Sequence, residues 1–381
     1  MANVNQIYSL LNATSKEALG DSAITVKDTT TFLSLGNQVL STDATKEAWY
    51  SKLADRIGRT YVKYKNYVGA ERAIYKTPLE YGMALQKIQV HKIGENSANQ
   101  SWETTSNPFE KSTDDTNFSV QIFAKRGTFA IEKVIYDYQL ETAFTSPANM
   151  GSFVEMIFAD MYNAMELDKE NLANLCVATA IASCVANKTT APLCFRNLWA
   201  EYKANHADAV YATWRENTDF LKFASREINL VTKRMQKMRS HFNTAKSDRF
   251  TKKEDMVVEI LADFATATSS YLESGTYHKE LVALPHYEEV DCWQGSGTDY
   301  DFASTSKVFI KNDDANINVE QSGIIAFVHD KEKCGLSYDR IRTKSIYNPI
   351  GERTLYSHKA DKGYYVDPTE NGVVFAVVET A

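Results

Sequence analysis

Paired cysteines are missing from this 381-residue chain. Cys176, Cys184, Cys194, Cys292 and Cys334 are odd in number, and no two form a Cys-x-x-Cys pair. A disulfide framework or a zinc ribbon needs close, paired spacing. The five are therefore read as buried free thiols in a reducing compartment. No basic segment followed by an apolar run opens the chain, so no secretory signal is expected. The longest apolar stretch, residues 172–186, is interrupted by Asn174, Thr179 and Ser183. It falls short of the ~20 residues that span a bilayer, so no membrane partner is expected.

Catalytic signatures are missing too. There is no Walker loop, no Rossmann glycine triplet, no Gly-x-Ser-x-Gly elbow and no His-Glu-x-x-His. Gly295-Ser296-Gly297 is a lone turn signal. The richest metal-like cluster is His278, Glu280, His286, Glu288, Glu289 and Asp291. Such side chains can ligate zinc or iron. Here they straddle the apolar run 281–285, so they read as the charged flanks of a short buried strand. No catalytic residue, cofactor or metal is assigned, and the chain is not expected to be an enzyme.

An excess of basic charge is also absent. Lys and Arg number 42 against 49 Asp and Glu, a net charge of −7. A protein that coats nucleic acid along its whole surface carries the opposite balance. What is present is a globular composition, 44% hydrophobic and 24% charged, which excludes a disordered chain. The length suggests two or three domains.

Along the chain the hydrophobic period changes. Residues 1–58 read as short helices joined by a brief strand. Thr42 and Asp43 are placed to cap a helix with Trp49, Leu53 and Ile57 on one face and Gly58 at its end. From Arg59 the period becomes two, as in a strand, and a second strand is predicted over 83–93. Residues 94–117 form a polar stretch whose apolar members are Ala98, Trp102, Pro108 and Phe109. Loops this long are usually functional, and a Trp and a Phe within one suggest that it docks on something. An alternating strand over 118–134, broken at Gly127, completes a long hairpin with a polar tip.

Ser146 and Pro147 carry the signature of a helix start. No proline and only Gly151 among glycines follow before Lys188. A helix of 41 residues there would be about 60 Å long, with a break near Asp168 as the alternative. A basic helix over 219–242 and strands over 256–261, 307–310, 323–328 and 372–378 follow. The fold class is α+β.

Charge is unevenly distributed. Residues 226–253 have a net charge of +7, residues 254–330 of −12, and residues 46–76 of +5. Each basic segment is open to three readings: a solvated face, a nucleic-acid contact, or a patch complementary to an acidic patch on another copy. In 46–76 the tyrosines interleave with lysines, as in single-strand binders. Lysines on an exposed strand also guard an edge.

The order of helical arm, polar-tipped hairpin, long helix and mixed C-terminal half resembles the major capsid protein of tailed bacteriophages, with its Hong-Kong-97-type shell fold. Residues 45–62 (TKEAWYSKLADRIGRTYV), 129–144 (FAIEKVIYDYQLETAF), 271–297 (YLESGTYHKELVALPHYEEVDCWQGSG) and 348–379 (NPIGERTLYSHKADKGYYVDPTENGVVFAVVE) carry the likeness. The resemblance implies an N-terminal arm (1–58) and an extended loop lying over a neighbour (59–130). It implies a peripheral domain with a spine helix (131–205), joined by the C-terminal strands (340–381), and an axial domain (206–339). It implies hexamers and pentamers of the chain in an icosahedral virion capsid around double-stranded DNA, assembled in the host cytoplasm. A portal and a separate scaffolding protein would be partners, because the arm is too short to contain a scaffolding segment. The net negative charge suits an inner surface past which packaged DNA must slide.

Trp102, Pro108 and Phe109 are the candidate docking anchors, since aromatic residues concentrate interface energy. Arg56 and Arg59 are candidates for intersubunit ion pairs. The arm and hairpin are expected to find their stabilising surfaces on copies of the chain. Two alternatives share parts of this evidence: an encapsulin-like nanocompartment shell, and a nucleic-acid-binding protein using 46–76 and 226–253.

Overall fold

A computed structural model of the chain describes residues 4–60, 85–90, 118–123, 126–270, 287–293, 306–312 and 317–379. Helices α1 (Val4–Leu19), α2 (Thr29–Leu40) and α3 (Asp43–Thr60) come first. Asp28 caps α2 by accepting the Thr31 N–H at 2.8 Å, and the Thr42 hydroxyl accepts the Thr45 N–H at the start of α3. Two expectations fail here. The helix α3 runs through Gly58 to Thr60, because glycine costs a helix interior only about 1 kcal/mol relative to alanine. The brief strand between the first helices is an irregular segment, residues 23–28. Val26 looks like a strand residue because it is buried. The side chain of Asn12 takes the place of a strand partner, accepting the Val26 N–H at 2.6 Å and donating to its carbonyl at 2.9 Å.

Strands β1 (Leu85–Val90) and β2 (Phe118–Phe123) pair antiparallel, Lys87 opposite Gln121. They fall within the hairpin strands expected from the sequence, but Gly127 is not a break. Gly127 lies inside β3 (Arg126–Tyr136), which joins a different sheet. Helix α4 (Asp137–Ala143) leads to α5 (Pro147–Ala186), capped by Ser146 with Pro147 in its first turn. The 40 residues of α5 form one helix without a break at Asp168, spanning about 60 Å at 1.5 Å per residue.

The rest of the chain builds a five-stranded sheet with helices on both faces. Its order is β4 (Phe195–Asn197), β12 (Gly372–Ala376), β9 (Ile324–Asp330), β5 (Met256–Leu261) and β6 (Glu288–Val290). On one face, Leu261, Phe327 and Val374 pack with Ala173–Val185 of α5. On the other, Val258, Val328, Val373 and Phe375 pack with α6 (Leu198–Lys203), α7 (Thr218–Met235) and α8 (Ala262–Thr268). A register shift opposite Phe375/Ala376 turns both Ile325 and Ala326 to the second face. Helix α7 stops at Met235, seven residues before its expected end, and the chain then forms a looped excursion to β5.

A three-stranded antiparallel sheet lies at the other end of α5. Its order is β10 (Cys334–Asn348), β11 (Arg353–Val366) and β3. Along β11, Thr354, Tyr356, His358 and Ala360 are buried, while the residues between them face outward. The buried row meets a third core. Phe32, Trp49, Leu53, Phe144, Met150 and Phe153 pack there with Ile135 and Tyr356. Helices α1 to α3, as far as Leu53, are therefore docked on the chain's own body, a correction to the expectation that the arm finds its surfaces on neighbours. The two-stranded pair β7 (Val308–Asn312) and β8 (Ile317–Gln321) covers the second half of α5.

All five cysteines are free, and four are buried. Burial pushes the Cys194 thiol up to about 12. Burial also holds His358 below its ordinary pKa, with its Nδ1 2.7 Å from the Thr343 hydroxyl.

Two measurements check this packing. Phe327 is fully buried, so Phe327→Ala is expected to cost about 3–5 kcal/mol in denaturant unfolding. His358 has a depressed folded pKa, so the unfolded chain takes up more protons and stability falls as pH drops below the ordinary value of 6.5. His329, raised despite burial by its Cys334 and Glu259 neighbours, acts in the opposite sense. The comparison that isolates His358 is the melting temperature of wild type minus that of His358→Gln. This difference is expected to shrink between pH 7 and pH 5.

Candidate assembly surface

The outer face of the three-stranded sheet carries no helix among the described residues. Registered pairs place Ile346, Leu355 and Val134 in one row across it. Ile346 is 66% exposed and Val134 39%. Neighbouring rows hold Lys344, Ser357 and Glu132, and Asn348, Arg353 and Tyr136. Ile350 stands almost fully exposed at the β10–β11 turn. The central strand β11 has a partner on each side. The outer strands β3 and β10 have one each among the described residues. The 15 residues of β10 span roughly 50 Å. Long unpaired edges beside an exposed apolar row template association with another chain. Sheets of this kind persist in stable proteins because something covers them.

The second surface is the β1–β2 ribbon. Its strands pair only with each other among the described residues. It is anchored to the body at its base. Lys87 Nζ lies 2.7 Å from Asp367 Oδ2 and 2.7 Å from Glu370 Oε1. Burial opposes the charge on Lys87, but the two carboxylates outweigh it and hold the ammonium above its ordinary pKa. Asp367 is itself fixed, accepting the Thr369 N–H and hydroxyl. Phe123 and Tyr365 add a ring contact at 5.1 Å. The 367–370 turn is shared further. Lys333, fully buried, donates to the Glu370 carbonyl at 2.9 Å, and Arg249 approaches Glu370 at 3.9 Å. Sequence reasoning missed this anchor. Its one signal was a lysine at mid-strand and an Asp-Pro-Thr-Glu turn nearly 280 residues later, and periodicity cannot pair positions that distant.

Trp102, Pro108 and Phe109, the sequence-predicted anchors, lie outside the described residues. Arg56 and Arg59 fall in the last turns of α3, and their side chains also lie outside what is described. Of the metal-like cluster, His278, Glu280 and His286 lie outside the described residues. Glu289 and Asp291 are exposed, and Glu288 is half-buried on β6. Among the described residues no group of three or more His, Cys, Asp and Glu could hold a metal ion, and no helix is long and apolar enough to cross a membrane. His329 and Glu259, 4.0 Å apart in the five-stranded sheet, are both fully buried.

Comparison with known proteins bears on what these surfaces do. A family model described as Phi29-like phage major capsid protein matches residues 11–376. No curated protein sequence matches the chain. Among solved structures, the chain is similar to one in the capsid of Staphylococcus phage Andhra. That match has a TM-score of 0.52 and 8% identity, covering 80% of this chain and 83% of the other. A chain from the structure of the head fiber and inner core protein gp22 of native bacteriophage P68 gives 0.50 and 9%, with the same coverage. Identities this low carry the fold alone, and the fold is that of phage capsid proteins of the Hong-Kong-97 type.

The ribbon anchor is testable within one subunit. Lys87→Ala removes the ammonium that bridges the Asp367 and Glu370 carboxylates at a largely buried site. It is expected to cost about 1–3 kcal/mol and to speed amide exchange in β2, measured by hydrogen–deuterium exchange.

Proposed function

We propose, for a chain that belongs to the Phi29-like phage major capsid protein family, that it tiles an icosahedral head as hexamers and pentamers enclosing double-stranded DNA. Its place is the virion capsid, and its role there is structural. Assembly in the host cytoplasm, with a portal and a separate scaffolding protein as partners, completes the reading. The observation that carries it is the three-stranded sheet, whose outer face and two edges are open among the described residues, with an apolar row at its centre. A monomer gains nothing from that arrangement. A closed shell repeats one heterologous contact around its axes, so each open surface meets a different surface of a neighbour. Contacts of modest strength then sum over many copies.

In this reading residues 59–130 are the extended loop, rooted by Lys87 and reaching a neighbouring subunit. The peripheral domain joins residues 131–205 to 340–381, and residues 206–339 form the axial domain. Residues 1–58 brace the peripheral domain from within the same subunit. Trp102, Pro108 and Phe109 are assigned to the tip contact, and Arg56 and Arg59 to intersubunit ion pairs.

Electron microscopy of the expressed protein, alone and with a scaffolding protein, is expected to show closed shells tens of nanometres across. Ile346→Lys places a charge in the exposed apolar row and touches no core residue. It is expected to leave the melting temperature within a few degrees of wild type and to reduce shell yield by about tenfold or more, the magnitude of a lost interface anchor. A folded protein that stays monomeric under every condition, or an Ile346→Lys variant that assembles normally, contradicts the reading.

A further inference from the structure

Between Lys233 and Lys253 the chain carries eight Lys and Arg against one acid, Asp248. Arg249 leans toward Glu370. The other seven cations are exposed, and none forms an ion pair among the described residues. They sit on a built knob rather than a loose loop. Arg239 and Arg249 bridge antiparallel through two backbone hydrogen bonds, at 2.9 and 3.1 Å. Phe242 and Asn243 are buried at its root. Asn243 clasps Ser247 through both its amide groups, and the Phe242 carbonyl accepts the Gly372 N–H at 2.7 Å. Lys246 is held at φ +56°, a left-handed conformation that non-glycine residues adopt at a cost. The bridge register sets Met238 opposite Phe250, and they are 54% and 46% exposed. The knob therefore exposes two apolar side chains on a segment whose exposed cations include Lys237, Arg239, Lys246 and Lys252.

The knob stands where β9 ends and where β5 and β12 begin. Strand β6 lies along the far half of β5, Glu288 opposite Glu259 and Val290 opposite Leu261. Glu289 and Asp291 are exposed there, and neither forms an ion pair among the described residues. They belong to the stretch 254–330, whose net charge is −12. The knob stands at the start of β5 and β12, while Glu289 and Asp291 lie beside β6, the edge strand of the same sheet that pairs with the last residues of β5.

The geometry points to a head-to-tail contact in which the 233–253 knob of one copy seats on the acidic β6 end of the next copy. The partner is a second copy of this chain. A contact between two different surfaces of identical molecules is what ring closure requires. Complementary charge steers the encounter and penalises wrong registers. Met238 and Phe250 discriminate against DNA as the occupant. Phosphates are held by cations and hydrogen-bond donors, whereas a protein interface concentrates its energy in a few large side chains surrounded by a rim that excludes water. The inference rests on the self-assembly reading and specifies one of its contacts.

A charge swap tests it. Lys237→Glu with Arg239→Glu, and separately Glu289→Lys with Asp291→Lys, are each expected to cut the assembled fraction at low salt by about tenfold, as like charges are brought together. Combining all four substitutions is expected to restore assembly to near the wild-type level. All four side chains are exposed, so melting temperatures should stay close to wild type. If a reversed variant misfolds, Lys237→Gln with Arg239→Gln replaces it, and the salt dependence of assembly should then flatten. Either half-swap assembling normally, or no recovery in the folded combination, overturns the contact while leaving shell formation intact. Normal assembly with loss of a double-stranded DNA gel shift assigns the knob to DNA and also overturns it. Wild-type protein that never assembles removes the self-assembly reading itself, and this contact with it.

Discussion

One helix of forty residues sets the dimensions of the subunit. Helix α5 is continuous, so residues 147 and 186 are held about 60 Å apart. Its first half carries Met150, Phe153 and Met161 into the core built with the N-terminal helices. Its second half carries Ala173 to Val185 into the core under the five-stranded sheet. A domain that elongated has a high ratio of surface to interior, and one chain cannot cover both faces of every layer. The five-stranded sheet is covered on both sides. Among the described residues the three-stranded sheet is covered on one. In the proposed reading neighbouring copies supply the second layer.

The C-terminal turn 367–370 ties the parts together. The ribbon reaches it through Lys87 and the body through Lys333. The basic knob reaches it through Arg249 and the Ala245 N–H, which donates to the Pro368 carbonyl. Three segments distant in sequence converge on one short, largely buried turn. The ribbon and the knob thereby share the Glu370 carboxylate.

Helix starts, strand positions and fold class were legible in the sequence because each has a local cause. Ser146-Pro147 marks a helix start by its own chemistry. Residues 256–261 read as a strand because they are apolar but for Glu259, and β5 has those bounds. The long strands β10 and β11 were not legible. Their inward rows carry the polar residues Thr343, Ser345, Thr354 and His358, and Thr343 and His358 meet across the sheet at 2.7 Å. That breaks the alternation of apolar and polar residues on which strand recognition rests. Gly58 misled for the converse reason: a glycine ends a helix only where the chain turns left-handed, and there it does not. The resemblance drawn from segment order and texture reached the family. Of the candidate site, the two basic segments and the acidic stretch were visible as charge runs. The apolar pair at the centre of the knob and the carboxylates that root the ribbon depend on contacts across the fold.

The account stands on the open sheet being covered by neighbouring copies. Hydrogen–deuterium exchange, compared between assembled shells and unassembled subunits, tests this most directly. The backbone amides of β3 and β10, at the sheet edges, should become strongly protected on assembly, while those of β9 and β12 inside the five-stranded sheet should change little. Equal exchange at β3 and β10 in both states would contradict it.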